Sequence, residues 1–297
     1  MKIGVVGTKG GWSSELLADA VAERTGFRLL VDMEEACLDL HNGQLWYDGV
    51  DLRTLDALII KKIGSRYSPL LLDRLELLRF AAEAGLPIFS SPLAIMRTLD
   101  RLSCTVTLRL GGIPMPPTVI TESPAEALAA VERFGSAVFK PLYTSKARGM
   151  EVIDDGPDAL ARIADFQATN PVMYIQQKID IPGRDLGLVF LGGRYLTTYA
   201  RCSTDANAWN TTTASGGKYA PAQPEPELIE LARRAQALFG LDFTCVDIVE
   251  TAQGPLVFEV SAFGGFRGIL EACGMDAAGL YADYVLEKIR AHPTTHR

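Results

Sequence analysis

The chain has 297 residues, of which 48% are hydrophobic and 22% are charged, and its formal net charge is −7. This length predicts roughly two domains with a sizeable core, and the composition argues against a disordered chain. The acidic balance disfavours a general nucleic-acid binder, although a local basic groove stays compatible with it.

Several other classes of protein are also disfavoured. Residues 1–7 lack the longer apolar core and the cleavage site of a secretory signal, and no apolar run approaches the ~20 residues that span a bilayer. Five cysteines without a CxxC pair argue against a disulfide scaffold or a zinc ribbon, and three histidines argue against a His-based site. We therefore expect a cytoplasmic, mixed α/β protein without membrane or nucleic-acid partners.

The first 90 residues alternate strand-like and helix-like segments, as in a small parallel sheet with helices on its faces. The predicted elements are strands at 2–7, 27–31, 57–61 and 88–89, helices at 14–24 and 70–84, and a hairpin around the turn at 41–43.

Glycines and prolines at 111–117 punctuate the chain between two predicted helices and a compact α/β unit. In the last helix, an aspartate cap precedes a face that carries Leu280, Tyr284 and Val285. The predicted helices are 92–98, 100–110, 124–134, 157–168, 225–239 and 276–290, and the predicted strands are 137–140, 150–153, 172–178, 186–191, 194–200, 243–249 and 256–261.

The last predicted hairpin is the most informative segment. A five-residue loop that leaves Glu250 paired with Leu256 sets its antiparallel register. That register places Asp247 opposite Glu259, and Ser261 shares their face. Opposed carboxylates repel, and a hard cation such as Mg²⁺ would relieve the repulsion. The alternatives are a register shifted by one residue, or one carboxylate turned to solvent.

Two groups of basic residues follow strands. Lys140 ends an apolar strand where an anion could reach it, and the polar loop 143–149 is suited to covering phosphates or is a solvated turn. Lys61, Lys62 and Arg66 lie at the carboxyl edge of the first sheet, where open α/β sheets bind ligands. They hold an anionic substrate or form an ordinary wet sheet edge.

Segments near the C-terminus carry a family resemblance. They are residues 246–248 (VDI), 254–261 (GPLVFEVS), 265–269 (GFRGI) and 274–279 (GMDAAG). Together they resemble the ATP-grasp superfamily, most closely the carboxylate–amine ligases of the RimK type. The resemblance covers nearly the whole chain, is strongest from Ser91 onward, and extends to an ATP-grasp branch named for a grasp-and-kinase gene system.

The resemblance implies an α/β fold with α+β lobes. It implies an N-terminal Rossmann-like pre-ATP-grasp domain at 1–90, central helices and a small lid at 91–178, and a C-terminal sheet domain with a metal site at 179–297. ATP would lie between the two later lobes.

The resemblance also implies the residues that bind the metal, the nucleotide and the reacting group. The implied ligands of Mg²⁺ or Mn²⁺ are Asp247, Glu259 and Ser261. The implied ATP-binding residues are Arg101, Lys140, Ser145, Lys146, Gln176, Gln177, Lys178, Ile179, Asp185, Asn210 and Thr211. Lys140 and Arg267 are the implied catalytic residues, with a structural arginine as the alternative for Arg267.

Individual roles and departures follow from the same comparison. Residues 176–179 match a hinge that holds adenine mainly through backbone groups, and Asp185 matches an acidic residue near the ribose. Ser261 replaces the family's usual asparagine. Thr144 and Ala147 stand where its lid carries glycines, and each costs energy if its position needs a positive φ.

The implied reaction joins a carboxylate to an amine through an acyl phosphate made from ATP. The implied substrates are small molecules or peptides, with the basic residues favouring anionic ones, and a homo-oligomer is one open assembly state. The departures motivate an alternative, a nucleotide-binding sensor or assembly partner without turnover. A kinase-like transfer to a small molecule is a third option.

Overall fold

The computed structural model describes residues 1–145, 147–203, 211 and 217–291. Two residues of the implied nucleotide site, Lys146 and Asn210, lie outside this part of the chain. Among the described residues, no helix combines the length and apolarity needed to cross a bilayer.

The N-terminal region forms the predicted parallel sheet and the predicted hairpin, which gains a third strand. Its elements are β1 (Ile3–Val6), α1 (Trp12–Thr25), β2 (Leu30–Val31), β3 (Cys37–Asp39), β4 (Gln44–Tyr47), β5 (Val50–Asp51), β6 (Ala57–Ile60), α2 (Leu70–Glu83) and β7 (Ile88–Phe89). The strand order is β2-β1-β6-β7 with parallel neighbours. Strands β1 and β6 are buried throughout, which explains their unbroken apolar sequences.

The central region contains two helices followed by a small antiparallel sheet with helices. Its elements are α3 (Pro92–Leu99), α4 (Arg101–Leu110), β8 (Thr118–Thr121), α5 (Pro124–Phe134), β9 (Ser136–Lys140), β10 (Glu151–Asp154), α6 (Ala159–Thr169) and β11 (Met173–Gln177). The strand order is β10-β9-β11-β8. Local signals set the limits of α5, because Ser123 caps its first turn, Pro124 follows, and Gly135 ends it at a φ of +70°.

The C-terminal region forms a second, larger antiparallel sheet. Its elements are β12 (Arg184–Leu191), β13 (Arg194–Cys202), β14 (Lys218–Pro221), α7 (Pro226–Ala237), β15 (Phe243–Thr251), β16 (Gly254–Ser261), α8 (Phe266–Cys273) and α9 (Ala277–Ala291). The strand order is β14-β13-β12-β15-β16.

The small antiparallel sheet β8–β11 and its helices α5 and α6 are called the lid below, and they have a hydrophobic core of their own. Phe139 and Phe166 pack edge-on at its centre, with ring centroids 5.4 Å apart. By contrast, each of the two larger cores contains side chains from both the N-terminal and the C-terminal sheets, and Ile95 and Leu108 of α3 and α4 belong to one of them. The domain ranges stay a prediction.

The last hairpin differs from its prediction near the turn. Thr251 pairs with Gly254, so the predicted five-residue loop is wrong and only two residues lie between the paired positions. The φ of +114° at Gly254 permits this tight turn. Glu250 therefore pairs with Pro255 and not with Leu256.

The inward face of the last helix also differs from its prediction. Leu280 is 38% exposed, whereas Tyr281 takes the inward position. The Tyr281 ring lies 5.2 Å from that of Phe243, and Val285 is buried as predicted. The predicted aspartate cap is present, because Asp276 accepts a hydrogen bond of 2.9 Å from the Gly279 N–H.

Candidate active site

A cleft of about 1190 Å³ opens between the lid, the C-terminal sheet and the carboxyl edge of the N-terminal sheet. The implied site residues of the described part of the chain, far apart in sequence, all line it. They are Arg101, Lys140, Ser145, Gln176, Gln177, Lys178, Ile179, Asp185, Thr211, Asp247, Glu259, Ser261 and Arg267. Their individual roles stay predictions.

The carboxylates of the last hairpin lie as the sequence predicts, for a reason that the sequence does not display. Asp247 is paired with Glu259, and Ser261 lies two positions further along β16. A β-bulge at Phe258 adds one residue to β16 and restores the register that the short turn would otherwise shift. The bulge also lets Phe258 and Glu259, although adjacent, both line the cleft.

Arg201 is the main site residue that the sequence analysis missed. It is paired across the sheet with Asp185, binds both of that residue's carboxylate oxygens, and lies 2.9 Å from Oδ2 of Asp247. Burial raises the pKa of Asp247 to about 6, although the Arg201 guanidinium opposes the shift. Arg201 directly follows the predicted strand 194–200, and a charged residue at such a strand end is the signal that would have found it.

Lys140 of β9 is hydrogen-bonded to Gln176 on the neighbouring strand, β11. Its Nζ donates to Oε1 of Gln176 at 2.5 Å and lies 5.4 Å from the ring centroid of Phe258. Burial, followed by the nearby charge of Arg101, lowers the pKa of Lys140 to about 7. The side chain of Gln176 thus has a structural partner in addition to its place in the hinge.

Arg101 connects α4 to the lid loop and to the acidic hairpin. Its guanidinium donates to the carbonyl oxygens of Pro141 at 3.2 Å and Thr144 at 3.3 Å, and it lies 3.9 Å from Oε2 of Glu259. A positive φ of 55° occurs at Ala147. Outside glycine, Asp48 is the only other described residue with a positive φ, so Thr144 does not need glycine there.

The hinge is partly occupied by the chain itself. The N–H of Gln177 donates to the Pro117 carbonyl at 2.9 Å, and the N–H of Lys178 donates to the Ser136 carbonyl at 3.0 Å. These two N–H groups therefore already have partners within the chain, and adenine binding by residues 176–179 stays a prediction.

Asp185 has close partners within the protein. Besides Arg201, it accepts a hydrogen bond of 2.6 Å from Oγ1 of Thr211, and it is 5% exposed. The carboxylate implied for the ribose and the hydroxyl implied for the nucleotide therefore bind each other, and the same carboxylate binds Arg201.

Arg267 follows the first residue of α8 and faces the N-terminal region. Its guanidinium lies 5.1 Å from the ring centroid of Trp12 and 3.9 Å from Oε1 of Glu271, and it stays largely exposed. It lines the cleft, and the catalytic role that the resemblance implies stays a prediction.

The three cations at the edge of the first sheet divide into different environments. Lys61 lines the cleft but is buried, and it donates to two backbone carbonyl oxygens. Lys62 also lines the cleft, whereas Arg66 is exposed. Binding of an anion by these residues stays a prediction.

The donor set of the hairpin suits a magnesium or manganese ion. Asp247 and Glu259 supply carboxylate oxygens, and Ser261 supplies a hydroxyl oxygen. No group of three or more His, Cys, Asp and Glu side chains in the described residues has metal-binding geometry. Two carboxylates remain enough for Mg²⁺, which usually completes its coordination with water and substrate phosphates.

Comparison with known proteins identifies relatives over the whole length. A family profile described as the RimK-like ATP-grasp domain matches residues 98–285. The chain is 26% identical over 313 residues to the tetrahydromethanopterin:alpha-L-glutamate ligase of Methanosarcina acetivorans, covering 94% of this chain and 95% of that protein. It is 28% identical over 294 residues to the ribosomal protein bS6–L-glutamate ligase of Salmonella paratyphi B, covering 96% and 95%.

Solved structures share the fold. The ATP-grasp ligase PsnB complexed with a minimal precursor has a TM-score of 0.75 at 18% identity, covering 97% of this chain and 99% of that chain. PsnB complexed with a phosphomimetic variant of the minimal precursor, Mg and ADP has a TM-score of 0.74 at 18% identity, covering 96% and 98%. The ATP-grasp fold predicted from the sequence is confirmed. Because the matching domain spans well over half of its length, the chain belongs to the RimK-like ATP-grasp family.

Proposed function

We propose that this chain joins a carboxylate to an amine in a reaction that depends on ATP and Mg²⁺ and passes through an acyl phosphate. The observation that carries the proposal is the meeting of an acidic pair and three cations in one cleft. Asp247 and Glu259 form the pair, and Lys140, Arg101 and Arg201 surround it.

The bonds of the reaction balance without a further reactant. An oxygen of the substrate carboxylate attacks the γ-phosphorus of ATP, and ADP leaves as the bond from the bridging oxygen breaks. The amine then attacks the acyl carbon, an amide forms, and phosphate leaves. The amine proton passes to the released phosphate or to water. Mn²⁺ or Mg²⁺, when bound by Asp247, Glu259 and Ser261, would neutralise charge on the phosphates.

The side chains of the cleft supply what this chemistry requires. Lys140 and Arg101 place positive charge beside the acidic hairpin, where a phosphoryl group gains negative charge in transfer. Arg267 is our candidate for holding the carboxylate, because it lines the cleft with a largely exposed side chain. Fixing the carboxylate near the phosphoryl group would supply proximity.

The nature of the substrates follows from the relatives and from charge. The relatives described above are named glutamate ligases, and PsnB is bound to a precursor peptide. Lys62 and Arg267 add positive charge to the cleft. We therefore expect glutamate or an acidic peptide among the substrates. A cytoplasmic location and a homo-oligomeric state stay predictions.

The test is release of ADP and phosphate with ATP, MgCl₂ and panels of carboxylates and amines, glutamate first. We expect Glu259→Gln to lower kcat by about a hundredfold or more, in the range of losing one main electrostatic group. Glu250→Gln is the matched control, because Glu250 lies on the neighbouring strand with an exposed ion pair to Arg184. Equal turnover by Glu259→Gln and the parent would contradict the assignment.

One outcome would favour the alternative function. Thermal stabilisation by ATP without turnover of any substrate pair would indicate a nucleotide-binding protein that does not ligate.

A further inference from the structure

Lys61 is a buried cation at a place where the fold normally presents ligand-binding groups. It directly follows Ile60, the last residue of β6, at the carboxyl edge of the parallel sheet. Only 2% of the residue is exposed. Burial of an ammonium group is costly unless other groups compensate for the lost water.

The compensation comes from the segment that follows the acidic strand. The Nζ of Lys61 donates to the carbonyl oxygen of Gly264 at 2.9 Å and to that of Phe263 at 3.3 Å. It also lies 3.7 Å from the ring centroid of Phe266 and 5.6 Å from that of Phe243. Carbonyl dipoles and aromatic faces thus replace water around the charge.

The same segment is packed tightly on its other side. A Cβ at Gly264 would lie 2.3 Å from Cβ of Cys245, and one at Gly265 would lie 2.4 Å from the hydroxyl of Tyr199. The backbone therefore lies directly against β13 and β15. The Gly264 carbonyl oxygen also accepts the N–H of Phe266, the first residue of α8, at 3.2 Å. Lys61 therefore donates to the same oxygen that binds the first N–H of this helix.

This contact lies between two groups of the cleft. Ser261 is the last residue of β16, the strand that carries Glu259, and Arg267 lies in the first turn of α8. We propose that Lys61 is a positioning residue, which fixes the segment 262–266 and thereby sets the places of Ser261 and Arg267 relative to the N-terminal sheet. This inference rests on the proposed function, in which Ser261 and Arg267 serve the metal and the carboxylate.

The proposal predicts that replacing Lys61 lowers the activity of the protein without lowering its stability. Burial lowers the pKa of Lys61 well below its usual range, and the charge of Lys62 adds to this effect. Lys61→Met avoids the burial of a charge but leaves two carbonyl oxygens without this donor. Because these two effects oppose each other, the thermal midpoint should stay close to that of the parent. The Lys61→Met variant would lose the hydrogen bonds to both carbonyl oxygens.

The experiment compares the full-length parent with Lys61→Met, Lys61→Arg and Lys9→Met. Lys9 is a matched control, because it also follows a strand of the first sheet and pairs with a carboxylate, Glu35, at 2.5 Å. Amide hydrogen exchange is measured for residues 263–269 with no nucleotide present. Turnover is then measured with the substrate pair that the parent accepts.

We expect Lys61→Met to raise exchange at Phe266 and Ile269 at least fivefold, to lower kcat at least tenfold, and to keep the KM for ATP within twofold. Lys61→Arg should restore part of both effects, because arginine also donates to two carbonyls, and Lys9→Met should match the parent. Unchanged exchange in Lys61→Met, or a rise spread over the whole chain with a lowered thermal midpoint, would overturn the proposal. If the parent shows no turnover, the proposed function fails, and the exchange data alone still decide the role of Lys61.

Discussion

The ammonium group of Lys140 donates to the amide oxygen of Gln176 at 2.5 Å across neighbouring strands of the lid sheet. The amide nitrogen of Gln176 donates in turn to Thr118 at 3.1 Å and to the hydroxyl of Tyr174 at 3.3 Å. This chain of hydrogen bonds orients Gln176 so that its oxygen faces the lysine. The direction of the Lys140 side chain is therefore fixed, while burial lowers the pKa of its ammonium group.

The lowered pKa of Lys140 predicts a pH dependence of ATP use. Since that pKa is about 7, the ammonium is present below pH 7 and is lost as the pH rises above it, although Glu259 opposes the loss. We therefore expect kcat/KM for ATP, which reports the free enzyme, to fall as the pH rises through about 7. Lys140→Arg should flatten this fall, because arginine stays charged. An unaltered profile in Lys140→Arg would assign the pH dependence to another group.

Substitution of Gln176 should move the same profile. Gln176→Glu places a carboxylate beside the ammonium and raises the pKa of Lys140, so the fall should occur about 1 pH unit higher or more. Gln176→Leu removes the acceptor, and kcat/KM for ATP should drop roughly tenfold, the effect of a hydrogen bond to a charged group. The control is Gln167→Leu, on the exposed side of the lid. Identical profiles for Gln176→Glu and the parent would refute this link.

Arg201 should matter for stability as well as for turnover. Arg201→Leu leaves Asp185 and Asp247 without their shared partner, and loss of one member of a buried ion pair costs about 3–5 kcal/mol. Arg184→Leu, which breaks an exposed pair with Glu250 in the same sheet, should cost less than about 1 kcal/mol. Urea unfolding measures both losses of unfolding free energy. Similar losses for the two variants would contradict the role of Arg201 as the shared partner of the two buried carboxylates.

The lid loop offers a test of backbone strain. Ala147 has a φ of 55°, a conformation that costs a side chain roughly 1–2 kcal/mol and glycine little. Ala147→Gly should therefore raise the free energy of unfolding of the lid by about 0.5–1 kcal/mol after the entropy of glycine is subtracted. Thr144→Gly should lower it, because Thr144 has no positive φ. A gain in both variants would contradict the role of φ at Ala147.

The hairpin shows why a sequence can give a correct pairing for an incomplete reason. Alternation along each strand predicts that Asp247 and Glu259 share a face, and the structure agrees. The predicted loop is wrong, and the bulge at Phe258 compensates for it. Each of these two irregularities shifts the register by one residue, and they act in opposite directions. The sequence pattern used for the prediction, strict alternation along each strand, has no place for a bulge.

Buried charges were the least predictable part of the site. Lys61 follows an apolar strand, Lys140 ends one, and Arg201 lies near the end of β13. The sequence pattern identified the two lysines as cations at strand ends, whereas Arg201 was missed. Only their neighbours distinguish them: carbonyl oxygens around Lys61, an amide around Lys140 and two carboxylates around Arg201. Those neighbours come from distant segments, 203 positions away for the bond from Lys61 to Gly264.

The sequence by itself determined most of the strands and helices, the capped helix ends, the acidic pair and the family, because these depend on short-range periodicity and on motifs. It missed the short strands β5, β8 and β14. Tertiary structure decided which cations bind groups of the chain itself, which helix face is buried, and how Phe258 comes to line the cleft. The physical reason is that the cost of burying a charge, and the gain from its partners, are set by atoms that folding brings together.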